Sequence, residues 1–210
     1  MIEQIPTLLL GWLLGLLAPV IVEKIKNYRD TEATTATIKS ELNETAYRMV
    51  LGAYSVSMHL GTVDRAYLKW VLDSIVLYQG SEPTKRIVES IKAKLALSDE
   101  KLASYTAAEA GQGVQAIVLP KFAVPFVDAR VAAVQSMVNS IQLQLFSIRS
   151  DVRLIDDLVD QSRTYFQLTF GKVESHHYVT VVDNLRGVYH QYEKRCRMTA
   201  DRIHKLQTVI

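Results

Sequence analysis

Cysteine is almost missing from this chain: Cys196 is the only one in 210 residues. That excludes an intramolecular disulfide framework and a cysteine-based zinc site, and it fits a reducing compartment. Glycine and proline are scarce as well, with 9 and 5 residues, which argues for helix over a turn-rich β architecture. Charge of one sign is nearly absent, because 24 basic and 22 acidic residues leave a net +2; this is too little to demand a polyanionic partner. No glycine-rich phosphate loop, G-x-S-x-G elbow or H-E-x-x-H zinc helix occurs. The sequence therefore assigns no catalytic, cofactor-binding or metal-binding residue, and it points to a non-enzymatic protein without a small-molecule substrate or nucleic-acid partner.

What is present begins with residues 5–22, IPTLLLGWLLGLLAPVIV, eighteen residues without a charge. A helix rising ~1.5 Å per residue just spans a ~30 Å bilayer core at that length. Leu8, Leu9, Leu10, Trp12, Leu13, Leu14, Leu16 and Leu17 form the apolar body of a membrane anchor. A cleavable signal peptide fits less well, because Glu3 replaces the basic leader and Leu17, Ala18 and Pro19 make a poor cleavage site. A buried core helix also fits less well, since soluble helices seldom run so far without a polar face. Lys24, Lys26 and Arg29 follow the span, whereas only Glu3 and the amino terminus precede it. The positive-inside rule then predicts a single-pass inner-membrane protein with its N-terminus outside and the rest cytoplasmic. Gly11 and Gly15, with Ala18 one turn on, form a strip of small residues along which anchors could associate into a homo-oligomer.

Beyond the anchor, the β-branched run TEATTAT at 31–37 is the expected joint. Ile38, Leu42, Met49, Ala53, Val56 and Leu60 recur at helical steps, and Gly61 should stop that helix. Thr62 is the expected cap of a second helix carrying Leu68, Val71, Leu72 and Ile75. A third carries Ile87, Ile91 and Leu95, and Ser98 caps a short fourth helix. Residues 112–126, with two prolines in an apolar run, break the helical reading and predict an extended crossover packed on the bundle. An alternative for this segment is a docking or membrane-dipping loop.

The strongest pattern lies downstream. Val131, Val134, Val138, Ile141, Leu145, Ile148, Val152, Ile155 and Val159 alternate steps of three and four, continuing through Ser162 to Phe166. After Gly171 and Lys172 the alternation resumes as Val182, Leu185, Tyr189, Tyr192, Cys196, Thr199, Ile203, Leu206 and Ile210. Two seven-residue repeats joined at a glycine predict an antiparallel coiled-coil hairpin. Folding about Lys172 would set Arg149 beside Glu193, Asp156 beside Arg186 and Asp151 beside Arg195, and Leu158 against Val188. Glu174 and His177, and again Asp201 and His204, have an acid-x-x-His spacing, but ~45 Å of helix would separate the two pairs, so they do not make one metal site. The basic residues of the last helix, Arg186, Lys194, Arg195, Arg197, Arg202 and Lys205, read as a solvated and partly paired face.

The expected architecture is all-α: a transmembrane anchor with its basic flank over 1–30, a bundle of short helices with a crossover over 31–126, and a coiled-coil hairpin over 127–210. The leading functional expectation is a scaffold that presents this bundle, and above all the hairpin tip, to partner proteins at a bilayer. The alternative is a membrane-active oligomer in which Gly11, Gly15 and Ala18 pack several anchors into a pore.

Overall fold

The computed structural model describes all residues except 1–3, 79–81, 111–116, 130–133, 136 and 171–174; within helices it leaves undescribed the side chains of 4–21, 23–31, 82–83, 126 and 175–176. The described helices are α1 (Gln4–Leu60), α2 (Arg65–Val76), α3 (Glu82–Leu95), α4 (Asp99–Glu109), α5 (Pro125–Ala129), α6 (Asn139–Leu168) and α7 (Ser175–Gln207). Among the described residues there is no strand.

The joint expected at 31–37 does not exist, because α1 runs through it as one helix of 57 residues. Each threonine costs well under 1 kcal/mol of helix propensity. Thr34 and Ile38 are buried against the bundle and Thr37 Oγ1 donates 2.9 Å to the Ala33 carbonyl, so packing outweighs the local preference. Downstream, Ile38, Leu42, Met49, Ala53 and Val56 are buried as the spacing predicts. Gly61 ends α1 at φ 67°, a left-handed position that suits a residue without Cβ. The cap of α2 is Asp64 rather than Thr62: its Oδ1 accepts from the Tyr67 N–H at 2.7 Å, while Thr62 Oγ1 turns back to the Ser57 carbonyl. Ser98 caps α4, as expected.

The long helices set the frame. His59 of α1 packs edge-on against Tyr189 of α7 with ring centroids 5.7 Å apart, and Gln207 near the other end of α7 donates to the Lys39 carbonyl. These contacts make α1 and α7 antiparallel. Helix α6 runs beside α7, with Arg202 reaching Ser147 Oγ at 2.7 Å. Helix α2 folds back along α1, where Tyr78 stacks on Tyr47 and donates to Glu44 at 2.6 Å. It also touches α7, where Trp70 Nε1 donates 2.8 Å to Asp201. Helix α3 packs on α2 and is tied to α1 by Tyr47 to Thr84 and by Lys94 to Tyr54. Arg65 fixes the start of α2 to this corner by donating to Asp99 and to the terminal carbonyls of Leu95 and Leu97.

The repeat in α6 and α7 is a core stripe. Leu145, Ile148, Val152, Ile155, Val159 and Ser162 are buried on one helix, and Leu185, Tyr189, Tyr192, Cys196, Thr199, Ile203 and Leu206 on the other. Leu158 and Val188 are buried too. Val138 departs from the pattern at 67% exposed, because α6 starts only at Asn139 and Val138 is its cap. The buried hydrophobic residues among these belong to one apolar cluster with Leu42, Met49, Leu68, Ile91 and Leu102. The stretches 31–126 and 127–210 therefore share a core.

Candidate interaction surfaces

Residues 117–124 form an extended strap along α1, α6 and α7. Burying backbone in this way requires partners for its polar groups, and side chains of the long helices supply them. Tyr189 Oη accepts from the Ile117 N–H at 3.3 Å, Tyr192 Oη donates to the Pro120 carbonyl at 3.1 Å, and Asp156 Oδ1 accepts from the Phe122 N–H at 3.0 Å. Lys121 pairs with Asp160 at 2.6 Å, and Glu41 receives the Val127 N–H of α5 at 3.3 Å. Leu119, Phe122 and Val124 are buried beneath these ties. The described part of the crossover packs on the bundle as expected, and residues 112–116 lie outside the described set.

Gly52 makes this close approach possible. A Cβ there would meet Tyr192 Oη at 2.9 Å, with Phe122 Cζ and Pro120 Cγ each at 3.6 Å. Nothing in the apolar spacing marks Gly52, although a glycine inside a helical pattern is costly and itself signals a packing reason. The heptad positions of Tyr189 and Tyr192 mark them only as core and do not announce them as polar clamps.

Among the described residues, no ion pair joins the expected register partners. Arg149 ion-pairs with Asp128 of α5, Asp151 with Arg202, and Asp156 serves the strap. Arg186 faces His59 of α1, and Glu193 lies beside Tyr67 of α2; Arg195 has no ion pair among the described residues. The physical reason is that α7 has three neighbours. A two-helix hairpin would turn both flanks of α7 toward α6, whereas here one flank is taken up by α1 and α2. Arg197 shows the same division, lying 5.5 Å from the Tyr67 ring and 5.1 Å from the Trp70 ring.

Electrostatics follows the packing. Burial, helped by Arg186, lowers the His59 pKa, and burial lowers that of His204 against the opposing pull of Asp201. Burial raises the Asp156 pKa despite the Phe122 N–H and Lys121. Burial also pushes the Cys196 thiol far above its ordinary range, although the neighbouring Tyr192 hydroxyl pulls the other way. A thiol held protonated in the core is unsuited to nucleophilic chemistry. Tyr67 Oη and Glu193 Oε1 are buried neighbours, each without a hydrogen bond of standard geometry.

At the hairpin tip, Leu168, Phe170, Tyr178 and Val179 are exposed, with Phe170 edge-on to Phe166 at 4.8 Å. Gly171, Lys172 and Glu174 lie outside the described residues, and His177 is exposed. Asp201 of the second acid-x-x-His pair is engaged by Trp70. Among the described residues, no group of three or more His, Cys, Asp or Glu could hold a metal ion.

The residues expected to form the anchor (Leu8, Leu9, Leu10, Trp12, Leu13, Leu14, Leu16 and Leu17), the small-residue strip (Gly11, Gly15 and Ala18) and the basic flank (Lys24, Lys26 and Arg29) all fall in the first half of α1. Their side chains lie outside the described set. Among the described residues, no helix is long and apolar enough to cross a membrane. Comparison with protein-family models, curated proteins and solved structures finds no match.

Proposed function

We propose that the chain is a membrane-anchored, non-enzymatic interaction protein: residues 5–22 cross the bilayer with the N-terminus outside, and the bundle meets partner proteins in the cytoplasm. The observation that carries this reading is the continuity of α1 from Gln4 to Leu60. The uncharged segment and a central helix of the bundle are one helix, so an anchor built on the first would hold the second without a hinge at 31–37. About 55 Å of helix separates Val22 from His59. The contact of His59 with Tyr189 puts the exposed tip residues at the end of the bundle remote from residues 5–22. A partner would thus be met well away from the headgroups.

Alkaline carbonate extraction of membranes from cells expressing the full chain tests the anchoring. Retention in the pellet, lost when residues 5–22 are replaced by a polar helix of equal length, is expected. Release of the intact chain into the supernatant would reject the anchor. A dye-influx assay on the same cells addresses the pore reading: permeabilisation that disappears in Gly11→Leu or Gly15→Leu would replace the passive scaffold with a membrane-active oligomer.

A further inference from the structure

An outer groove runs between α6 and α7, and its cleft reaches as far as Asp201, which Trp70 of α2 also binds. Leu143, Ser147 and Leu154 recur along one stripe of α6, and Gly187, Met198 and Lys205 along the facing stripe of α7. Arg202 bridges the stripes by binding Ser147 and Asp151, so both belong to one groove. Three apolar side chains stand open in it: Leu143 is 63% exposed, Met198 53% and Leu154 40%. One end widens into a cleft of about 500 Å³ lined by Leu143, Gln144, Ser147, Asp201, Arg202 and Lys205.

The charge on this side is predominantly positive. Asp151 is ion-paired with Arg202, and Asp201, which accepts from the neutral Trp70 indole, is the one acid of the cleft without an ion pair among the described residues. Lys194, Arg195 and Lys205 have no ion pair among the described residues. An apolar stripe bordered by unpaired cations is the complement of an amphipathic helix with acidic flanks, the recognition mode in which spaced apolar anchors lie in a groove and charge sets the partner. A second copy of this chain is disfavoured as occupant, because a two-fold contact would set Lys194, Arg195 and Lys205 against themselves.

We infer that this groove docks an acidic amphipathic helix of a partner protein, which lies along α6 and α7 as a third strand of the coil over Leu143, Met198 and Leu154. The inference rests on the reading of the chain as an interaction protein, and it moves the contact from the hairpin tip to the hairpin side.

Titration of the full chain in detergent with a fluorescent synthetic helix of about 20 residues, leucines at i, i+4, i+7 and i+11 and glutamate on both flanks, tests it. The probe should bind at least tenfold more tightly than the same helix carrying lysine flanks, and the preference should shrink with added salt. Met198→Glu should weaken binding at least tenfold. The double variant Lys194→Glu/Lys205→Glu should reverse the preference toward the lysine probe, a gain that a misfolded protein cannot give. Equal binding of both probes, or indifference to Met198→Glu, would overturn the inference. Self-association of the chain abolished by Met198→Glu would also overturn it, since the occupant would then be a second copy. None of these outcomes touches carbonate extraction, so failure here leaves the anchored reading standing, and failure there leaves this groove standing.

Discussion

Replacing Gly52 by alanine should destabilise this protein, although the same exchange in an ordinary helix interior gains about 1 kcal/mol. The added methyl would stand 2.9 Å from Tyr192 Oη. Tyr192 is fully buried, so its hydroxyl has no free direction in which to retreat. Its 3.1 Å bond to the Pro120 carbonyl must then lengthen or break. A buried polar group left without a partner costs ~1–3 kcal/mol, and overpacking a filled site adds ~1–3 kcal/mol. Loss outweighs gain, and a net destabilisation of about 1–5 kcal/mol is expected from these terms. Tyr192→Phe alone should cost about 1 kcal/mol, for the lost hydrogen bond. In that background the obstructing oxygen is gone and the remaining neighbours, at 3.6 Å, are in ordinary contact. There Gly52→Ala should turn neutral or stabilise by up to about 1 kcal/mol. Urea unfolding of the four proteins in detergent, followed by circular dichroism at 222 nm, reads the cycle. An effect of the same sign and size in both backgrounds would refute the argument that the strap dictates glycine at this position.

Other residues supply independent checks by the same unfolding assay. Ile155→Ala should cost about 2–5 kcal/mol and Val138→Ala less than about 0.5, because the first is fully buried and the second 67% exposed despite sharing one repeat; equal costs would restore the longer coiled coil. His59 and His204 have lowered pKa values in the fold, so the unfolded chain takes up their protons first. Their contribution is complete above the ordinary value of 6.5 and is lost as pH falls from there toward the folded values. The double variant His59→Gln/His204→Gln should therefore lose less stability than the wild type between pH 7.5 and 5.5, and an unchanged slope would contradict the burial of these rings.

The sequence displayed the periodic part of the fold well. The alternation of three and four steps located the buried stripes of α6 and α7 from Leu145 to Ser162 and from Leu185 to Leu206, because heptad spacing follows directly from helix geometry. Helix ends were readable where backbone chemistry dictates them, as at Gly61, which stops α1, and Ser98, which starts α4. The partners of the stripes were not readable. Arg186 and Glu193 were assigned to α6 because a hairpin has one interface, yet α1 lies 168 positions away in sequence where Lys39 meets Gln207, and no local pattern announces so distant a neighbour. Threonines at 31–37 looked like a joint because propensity is local, whereas the burial of Thr34 and Ile38 is tertiary. The polar clamps on the strap were hidden for the same reason: Tyr189, Tyr192 and Asp156 act on backbone groups that only the finished fold brings within reach.

The central claim is that α1 joins an outward N-terminal anchor to a cytoplasmic bundle. Labelling Val179→Cys with a membrane-impermeant maleimide tests it most directly, since Val179 is exposed near the hairpin tip and the native Cys196 is buried and unreactive. The account predicts no labelling in intact cells and full labelling in inverted membrane vesicles, with the protein sedimenting with the vesicles. Labelling in intact cells, or recovery of the unlabelled chain in the soluble fraction, would contradict it.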